Sequence, residues 1–539
     1  MAKEFFFLSI LVIFVNLTLL WAGWTQVLWS LLLFGPLMLM GLIDFFQKSK
    51  GVRRNFPVIG NLRYFFENIR PELQQYFVES NLSGRPIPRE LRSVVYQRAK
   101  GVLQTQPFGT QRDVNEENYE WVNHSMQPLD PCPEDLRVAI GGEHNGSQVY
   151  QASLLNVSAM SYGALSSAAI EALNRGALKG GFYHNTGEGG ISPHHLHGGD
   201  LVWQIGTGYF GCRDREGNFC PEMFKSNAQR PEVKMIEVKL SQGAKPGKGG
   251  ILPGEKVTPE VAQIRGVEVG KSVVSPSYHR AFSSPVEMLE FVARLRTLSG
   301  GKPVGLKLCV GRKSEFMALC KAMLKTGLRP DFINVDGGEG GTGAAPLEFA
   351  NSVGTPLDEG LSFVHDCLVG FGLREQVQLI AGGKVLTGFH LLTKLALGAD
   401  LVNSGRGMML ALGCIHALKC NTNHCPVGVA TTDPTLVRGL HVPDKFQRVA
   451  RYQVATLEAF REMLGAMGYS HPGQIQRQDV YRRLTDGVVK SYEQLFPSLT
   501  PGSLLQGADL PALPQDWLEA YRLSHPESFS PRPVQFQSA

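Results

Sequence analysis

The sequence predicts an α/β protein: a (β/α)8 TIM barrel preceded by an N-terminal two-helix transmembrane hairpin. Three observations lead to this fold class. Short apolar runs alternate with helical patterns over residues 151–440, and repeated βα units form a parallel sheet. Glycine and charged residues gather where these runs end, as they do at the active-site face of such barrels. The first 46 residues are far more apolar than the rest.

Two apolar runs make up the predicted transmembrane segment 1–46. The run 27–46 is long enough to span a bilayer, and the run 5–20 is near the lower limit. Trp21 and Trp24 lie in the turn between them, a position that suits the membrane interface. A cleaved signal peptide is the alternative, although no small-residue cleavage site follows the first run and a second apolar run comes at once.

Basic residues directly after the second run predict the orientation in the membrane. Lys48, Lys50, Arg53 and Arg54 lie there, and positive charge favours the cytoplasmic side. We therefore expect an inner-membrane protein whose catalytic domain is cytoplasmic and whose nine cysteines are reduced. The balance of 53 basic and 48 acidic residues argues against nucleic acid as a partner.

The remaining chain divides into three predicted regions. Residues 47–150 form a connecting region, 151–440 the barrel with its cofactor loops, and 441–539 a helical C-terminal tail. Eight predicted strands favour a closed barrel over an open sheet: 156–161, 181–185, 233–240, 272–275, 303–310, 332–336, 377–381 and 401–404. The predicted helices are 166–179, 259–265, 285–298, 314–325, 361–371, 389–397 and 408–418.

Nucleotide-binding motifs are not convincing in this chain. The two G-x-G-x-x-G matches, 206–211 and 338–343, lack the strand, tight turn and helix that a dinucleotide site requires. Gly270-Lys-Ser272 resembles the end of a P-loop, but Arg265 stands where the first glycine of that motif belongs. The chain therefore has no predicted nicotinamide domain and no predicted NTPase site.

Three cysteines fall in a short polar stretch: Cys414, Cys420 and Cys425, the last followed by Pro426. Buried cysteines can act as small apolar residues, but the stretch 420–425 is too polar for a core. Thiolates in a loop suit zinc or iron–sulfur, and a proline after the last cysteine also occurs in iron–sulfur loops. The spacing predicts a metal site.

Features of a phosphate site lie where the last two barrel strands end. Gly382–Gly383 and Gly405–Arg406 follow the predicted strands 377–381 and 401–404, and barrels often bind phosphate there. Arg406 offers a bidentate fork to a phosphate. Lys307 lies inside a strand, where a cation needs a partner, and the region of a flavin that becomes negative on reduction would provide one. Each glycine pair alone also fits an ordinary loop.

Several motifs, in order along residues 150–435, resemble the flavin domain of glutamate synthase. They are Ser158–Leu165, Asn185–Gly190, Gln242–Gly247, Leu252–Gly254, Asp336–Ala344 and Cys425–Thr431. The chain resembles the stand-alone FMN-binding glutamate synthase family. This resemblance implies a barrel that holds FMN, with a [3Fe–4S] cluster on Cys414, Cys420 and Cys425.

The resemblance also implies roles for ten further residues and an oxidoreductase that acts on CH–NH2 donors. Those around FMN would be Lys307, Gly337, Gly338, Gly382, Gly383, Gly405 and Arg406. Glu188, Lys245 and Arg265 fall at the catalytic site for 2-oxoglutarate. Ammonia and 2-oxoglutarate would give 2-iminoglutarate, which hydride from reduced FMN would convert into glutamate. Electrons would come from an external donor, either ferredoxin or a reductase subunit.

Two departures from the family pattern leave the substrate open. The sequence has no glutaminase domain or N-terminal cysteine nucleophile, so ammonia would be free or come from another subunit. Ile251 replaces a glutamine that helps the family hold its oxo acid, and His279–Phe282 also differs. Losing one polar partner alters specificity strongly. A membrane-tethered FMN and iron–sulfur oxidoreductase acting on another substrate is therefore the alternative, and a non-catalytic electron-transfer subunit is a third hypothesis.

Overall fold

A computed structural model describes residues 2–102, 105–132, 136–505 and 513–530. The chain divides into two compact units, Met1–Arg85 and Pro86–Ala539. This division falls between the predicted boundaries at residues 46 and 150.

The first unit is helical. Its two long helices contact each other, because the rings of Phe6 and Phe45 lie 4.7 Å apart and Ser30 Oγ donates to Asn16 Oδ1. Within the described residues, Glu4–Trp21 is long and apolar enough to cross a membrane, whereas the second helix has a shorter apolar stretch, Phe34–Phe46. The membrane hairpin therefore stays a prediction. The helices are Ala2–Trp21, Leu28–Phe46, Gly51–Asn55 and Gly60–Leu73, with a 3-10 turn at Thr25–Val27 and a π-helical turn at Gln74–Val78.

A closed barrel of eight parallel strands forms the core of the second unit, which confirms the α/β class and the predicted (β/α)8 barrel. Each strand pairs with its neighbours in chain order, and the eighth pairs with the first. The strands are β1 Leu155–Val157, β2 His184–Asn185, β3 Leu201–Ile205, β4 Val233–Lys239, β5 Val304–Leu308, β6 Phe332–Asp336, β7 Gln378–Gly382 and β8 Leu401–Ser404.

One predicted barrel strand is wrong, and one was missed. The predicted strand 272–275 is Val273–Val274, which pairs antiparallel with Ile251–Leu252 outside the barrel. Its place in the barrel belongs to β3, all five residues of which are buried. The connection 186–200 between β2 and β3 contains a 3-10 turn, Pro193–His195, instead of a helix. The prediction depended on strands alternating with helices, and no helix separates β2 from β3.

Helices surround the barrel, and several begin at side-chain caps. Ser166, Ser284 and Thr387 each accept a hydrogen bond from a backbone N–H of the first turn, which satisfies a group that the helix leaves unpaired. The helices of the barrel region are Ser167–Gly180, Pro221–Ala228, Pro259–Arg265, Pro285–Leu298, Lys313–Thr326, Leu347–Ser352, Leu357–Gly370, Gly388–Ala396 and Arg406–Leu412, with 3-10 turns at Gly254–Lys256 and Arg374–Gln376.

The segments before and after the barrel join in one small sheet. Glu120–Val122 pairs antiparallel with Val480–Arg483, which also pairs with Val489–Ser491. A separate hairpin, Arg137–Ile140 with Tyr150–Ser153, precedes β1. The other helices of this unit are Arg89–Lys100, Pro434–Val437, Val442–Ala466, Tyr492–Leu495 and Gln515–Leu523, with 3-10 turns at Glu143–Asn145, Pro472–Gln474, Arg477–Asp479 and Thr485–Gly487.

The barrel interior changes from apolar to polar along its axis. An apolar cluster includes Tyr183, Val202, Met235, Phe332 and Ile380. Nearer the carboxyl ends of the strands, the Glu237 carboxylate accepts hydrogen bonds from three amide side chains: Asn185 at 2.9 Å, Gln204 at 2.6 Å and Asn334 at 2.8 Å. This polar layer lies beneath the face where barrel active sites form.

Candidate functional site

A buried group of charged side chains lies at the carboxyl ends of β2 and β4. Lys239, the last residue of β4, places Nζ 2.7 Å from Glu188 Oε1 and also donates to Gln242 Oε1. Burial alone would raise the pKa of Glu188, but the ammonium of Lys239, helped by Lys245 and Arg265, holds that pKa below its usual range. Glu188 is therefore an ionised carboxylate among three cations.

Two of those cations, Lys245 and Arg265, come from the long segment between β4 and β5. Lys245 is 3% exposed, and its Nζ donates to the carbonyl of Ala344 at 2.9 Å. Burial lowers the pKa of Lys245 to about 8, although Glu188 opposes this shift. Arg265 ends the helix Pro259–Arg265 and donates to the Tyr162 carbonyl at 2.9 Å, while its Nε has no hydrogen-bond partner within the described residues. The structure thus brings Glu188, Lys245 and Arg265 together, and the substrate-binding role that the resemblance implies for them stays a prediction.

His279 orients the backbone beneath this group. Its Nε2 lies 2.8 Å from the Lys239 carbonyl oxygen, so Nε2 carries the hydrogen and donates. Its Nδ1 then accepts from the Tyr209 hydroxyl at 3.0 Å. Burial lowers the pKa of His279 to about 4, so the ring is neutral at physiological pH. His279 therefore acts as a fixed hydrogen-bonding group and not as a charge.

A second group of charges lies at the ends of β5, β6 and β8. Lys307 Nζ is 3.6 Å from Asp336 Oδ2, and both side chains are buried. Arg406 donates to the backbone carbonyl of Glu339 at 2.7 Å, a contact that does not neutralise its charge. Burial lowers the pKa of Arg406, and Asp336 and Glu339 oppose that shift. Two cations thus share this end of the barrel, which suits a phosphate or an electron-rich ring.

The glycines predicted around a flavin lie on the same loops. At Gly337 and Gly338 a Cβ would come within 2.5 Å of Glu339 Oε2 and 2.7 Å of the Gly354 carbonyl oxygen, so close packing explains both without a ligand. Gly382 lies against Asp336 Oδ1, and Gly383 has a φ of +155°, which favours glycine. Gly405 has only ordinary contacts. The fit to FMN therefore rests on the buried cations at the strand ends more than on these glycines.

The three predicted metal ligands belong to one loop after the helix Arg406–Leu412. Burial, with Cys420 and Cys425 nearby, raises the pKa of the Cys414 thiol to about 11, so the three thiols are close enough to affect one another. In the part of the chain that the structure describes, no three His, Cys, Asp or Glu side chains are placed to hold one metal ion. In an iron–sulfur cluster each thiolate binds a different iron, so the three cysteines need not converge on one metal ion, and this donor set fits a cluster. The cluster stays a prediction.

Sequence reasoning missed Lys239 and Tyr209, and it named Gln242 only as the first residue of a motif. The signal for Lys239 was present: in the strand ending Glu237-Val-Lys239, polar residues alternate with apolar ones, and alternate residues of a strand share a face. Tyr209 gave no such signal, because its role depends on a loop that adopts a φ of +48°.

The comparison with family models decides which family the chain belongs to. Residues 111–470, more than half of the chain, match the conserved region in glutamate synthase. The chain belongs to the glutamate synthase family. It is therefore an oxidoreductase of the glutamate synthase type, and the resemblance identified from the motifs is confirmed.

Curated relatives cover much of the chain. The glutamate synthase large subunit-like protein YerD of Bacillus subtilis is 40% identical over 493 residues, 84% of this chain and 93% of that protein. An archaeal glutamate synthase [NADPH] of Methanocaldococcus jannaschii is 34% identical and covers 64% of this chain and 70% of its own length. The ferredoxin-dependent glutamate synthase of Cyanidium caldarium is 32% identical, and the match covers 24% of that longer protein.

Solved structures show only a distant likeness. A mandelate oxidase with (S)-4-hydroxymandelic acid has a TM-score of 0.44 and 17% identity, covering 73% of this chain and 99% of that chain.

Proposed function

We propose that this glutamate synthase relative catalyses the reductive amination of a 2-oxo dicarboxylic acid, 2-oxoglutarate, to glutamate. The observation that supports this most is the buried set of one carboxylate and three cations formed by Glu188, Lys239, Lys245 and Arg265. Three positive charges against one negative charge leave a net charge that attracts a dianion. An archaeal relative named glutamate synthase is 34% identical over 376 residues.

Each residue then has a specific task. Lys245 and Arg265 bind the two carboxylates of the oxo acid, because their charges and donors match those groups. Glu188 holds Lys239 in place through the 2.7 Å contact. Lys245, with a pKa of about 8, is a cation for the oxo-acid carboxylate at neutral pH. His279 keeps the Lys239 backbone in position.

Two cofactors complete the proposal. FMN, held between Lys307, Arg406 and the glycine loops at Gly337–Gly338, Gly382–Gly383 and Gly405, would supply hydride when bound. A [3Fe–4S] cluster on Cys414, Cys420 and Cys425 would supply single electrons from an external donor. A ferredoxin or a separate reductase subunit would be that donor. Ammonia, free or from another subunit, would supply the nitrogen.

A specific observation keeps the alternative substrate open. Ile251 pairs with Val274 in the two-stranded sheet outside the barrel. It provides no polar side-chain group where the family places a glutamine. The same charged pocket would then hold another oxo acid with one or two carboxylates. The FMN and cluster residues are common to both functions.

We also propose that the chain is anchored in the inner membrane with the barrel in the cytoplasm. The apolar helix within Glu4–Trp21 supports the anchor. The helix Gly60–Leu73 adds support, because Leu62, Phe65 and Phe66 are exposed and basic residues accompany them, as in helices that lie on membrane surfaces. Asp44, a fully buried residue of the helix Leu28–Phe46, accepts hydrogen bonds from Arg53, the Val58 amide and Asn61. It therefore connects that helix to the two helices that follow it.

The test removes one substrate-binding cation. The variant is Lys245→Ala, and its matched control is Lys248→Ala on the same loop, where Lys248 is exposed. Protein purified anaerobically in detergent is reduced, and flavin reoxidation is followed with 2-oxoglutarate and ammonium. We expect Lys245→Ala to retain FMN and to lose at least about a hundredfold in kcat/KM, as expected when a charged partner of the substrate is removed. Lys248→Ala should match the native chain.

Three outcomes are informative. Glutamate formed by the native chain and not by Lys245→Ala supports the proposal. If the native chain holds FMN and iron but its flavin stays reduced with 2-oxoglutarate, then 2-oxoglutarate is not the substrate. The departure at Ile251 would then be the first place to examine for a different substrate. Equal turnover by all three proteins contradicts the assigned site.

A further inference from the structure

Lys256 is a buried lysine beside the three-cysteine loop. It ends the 3-10 turn Gly254–Lys256 and is 2% exposed. Its Nζ donates to three backbone carbonyls: Cys420 at 2.7 Å, Ala430 at 2.8 Å and Ala164 at 3.2 Å. These carbonyls belong to the cysteine loop, the segment that follows it and the loop after β1. One side chain therefore joins three separate segments around the cysteines.

Three carbonyl acceptors around one Nζ favour the ammonium form of Lys256. An ammonium has three N–H donors and a neutral amine has two, so three carbonyl acceptors correspond to the ammonium. None of the described carboxylates forms an ion pair with it, since its contacts are backbone carbonyls. A buried charge without a counter-charge is costly. The side chains of Cys420 and Cys425 lie close enough to Lys256 to interact with its charge.

We propose that Lys256 provides the counter-charge for an anionic iron–sulfur cluster on Cys414, Cys420 and Cys425. It would also be the positioning residue that holds the cysteine loop in shape. This inference rests on the proposed function, because it requires the cluster. It assigns a role to a side chain that touches neither the oxo-acid pocket nor the FMN cations.

The shape of the loop supports a positioning role. His416, Leu418 and Asn423 all have positive φ, between 55° and 62°, and this conformation is unfavourable for a residue such as leucine. Such a backbone needs support from its surroundings. Lys256 provides it at Cys420, and Asn423 Nδ2 adds a hydrogen bond to the carbonyl of Glu255, the preceding residue of the same turn.

The charge has a consequence for electron transfer. A one-electron reduction adds one negative charge to the loop, and a fixed ammonium nearby makes that addition more favourable. Neutralising Lys256 should therefore shift the midpoint potential of the cluster to a more negative value. The turn Gly254–Lys256 follows the strand Ile251–Leu252 after one residue, Pro253. Lys256 therefore also links this strand to the cysteine loop.

The experiment compares Lys256→Met with a matched control. Methionine keeps an unbranched chain of similar length and removes the charge. The control is Lys302→Met: Lys302 Nζ also donates to backbone carbonyls, those of Ala228 and Arg230, but it precedes β5 at the opposite end of the barrel. Each full-length protein is purified anaerobically in detergent. Iron and FMN per chain, the redox titration of the cluster by electron paramagnetic resonance, and the thermal midpoint are measured.

We expect Lys256→Met to keep FMN and to lose at least half of its iron. At a fixed potential, its remaining cluster should show a reduced-to-oxidised ratio about tenfold lower, as expected for the loss of one nearby charge. Lys302→Met should match the native chain in iron and in potential. If Lys256→Met fails to fold, Lys256→Arg keeps the charge and should retain a potential near the native value.

The other results separate this inference from the proposed function. A native chain that binds no iron overturns the cluster and this inference together. Native iron content and an unshifted potential in Lys256→Met overturn the role of Lys256 and leave the cluster standing. Equal losses of iron in Lys256→Met and Lys302→Met also overturn it, because they indicate a general effect on stability.

Discussion

At the scale of single residues, the oxo-acid pocket depends on one lysine, Lys245, that burial makes easier to deprotonate. Lys245 has a pKa near 8, down from 10.5, because it is withdrawn from water. Below pH 8 the side chain is a cation that can bind a carboxylate, and above pH 8 it becomes neutral. Arg265, whose pKa burial lowers to about 10, stays charged over the same range.

We therefore predict an alkaline loss of substrate affinity. The KM for 2-oxoglutarate should be flat from about pH 6.5 to 7.5 and rise about tenfold per pH unit above pH 8, as one required proton is lost. Steady-state kinetics between pH 6.5 and 9.5 measure this. Lys248→Ala should keep the rise but move it to a slightly higher pH, because Lys248 is one of the cations that lower the pKa of Lys245. Lys245→Arg should show no such rise because arginine stays charged. A flat native profile would exclude Lys245 as a substrate ligand.

At the scale of elements, the polar layer inside the barrel links four strands through one carboxylate. Glu237 on β4 accepts from Asn185 on β2, Gln204 on β3 and Asn334 on β6. Asn185 in turn accepts from the amide of Gly187, next to Glu188. The layer thus fixes the start of the loop that brings Glu188 to the site.

Replacing Glu237 by glutamine should weaken the barrel. A carboxylate only accepts hydrogen bonds, but an amide nitrogen donates, so one of the three neighbouring amides would face another donor. We expect about 1–3 kcal/mol of destabilisation, seen as a lower thermal midpoint with FMN still bound. Glu268→Gln, in an exposed pair with Lys271, is the control and should change stability by less than about 0.5 kcal/mol. Equal midpoints for the two variants would refute the role of the layer.

The same elements explain which parts of the fold the sequence could predict. Regular βα units such as Pro285–Leu298, Phe332–Asp336 and Leu401–Ser404 match their predicted bounds, because periodicity and caps define them. The strands β2 and β3 did not follow this rule, since β2 has two residues and no helix separates the pair. Glu188, Lys245 and Arg265 followed from the resemblance and not from any local pattern. The contacts of His279 and Tyr209 depend on loop conformations that no local pattern specifies.

At the scale of the whole molecule, regions distant in sequence complete the second unit. The strand Glu120–Val122 pairs with Val480–Arg483, and Arg482 bonds both Glu120 and Asp358. The connecting region and the C-terminal tail, predicted as separate parts, therefore share one sheet. The first unit is built differently, from apolar helices with exposed side chains.

For that first unit we predict stable membrane attachment. The full chain should stay in the membrane pellet after extraction with alkaline carbonate. Ile13→Arg combined with Leu39→Arg should release a substantial fraction, because each arginine in an apolar span costs about 2.5–3.5 kcal/mol. Ile13→Leu with Leu39→Ile is the matched control and should stay in the pellet. Release of the native chain would contradict the anchor. If protease digests the barrel of this protein in inverted vesicles but not in right-side-out vesicles, the cytoplasmic orientation is supported.

The carboxylate of Glu188 lies between the backbones of Gly206 and Gly250, and this position affects how the site responds to charge. A Cβ on Gly206 would come within 2.6 Å of Glu188 Oε2, and one on Gly250 within 2.5 Å of Oε1. Backbone on both sides thus leaves the carboxylate little room to rotate. Its electric field is set when the chain folds, before any ligand arrives. A pocket whose dipoles are already oriented loses little free energy to reorganisation when charge develops on a bound molecule.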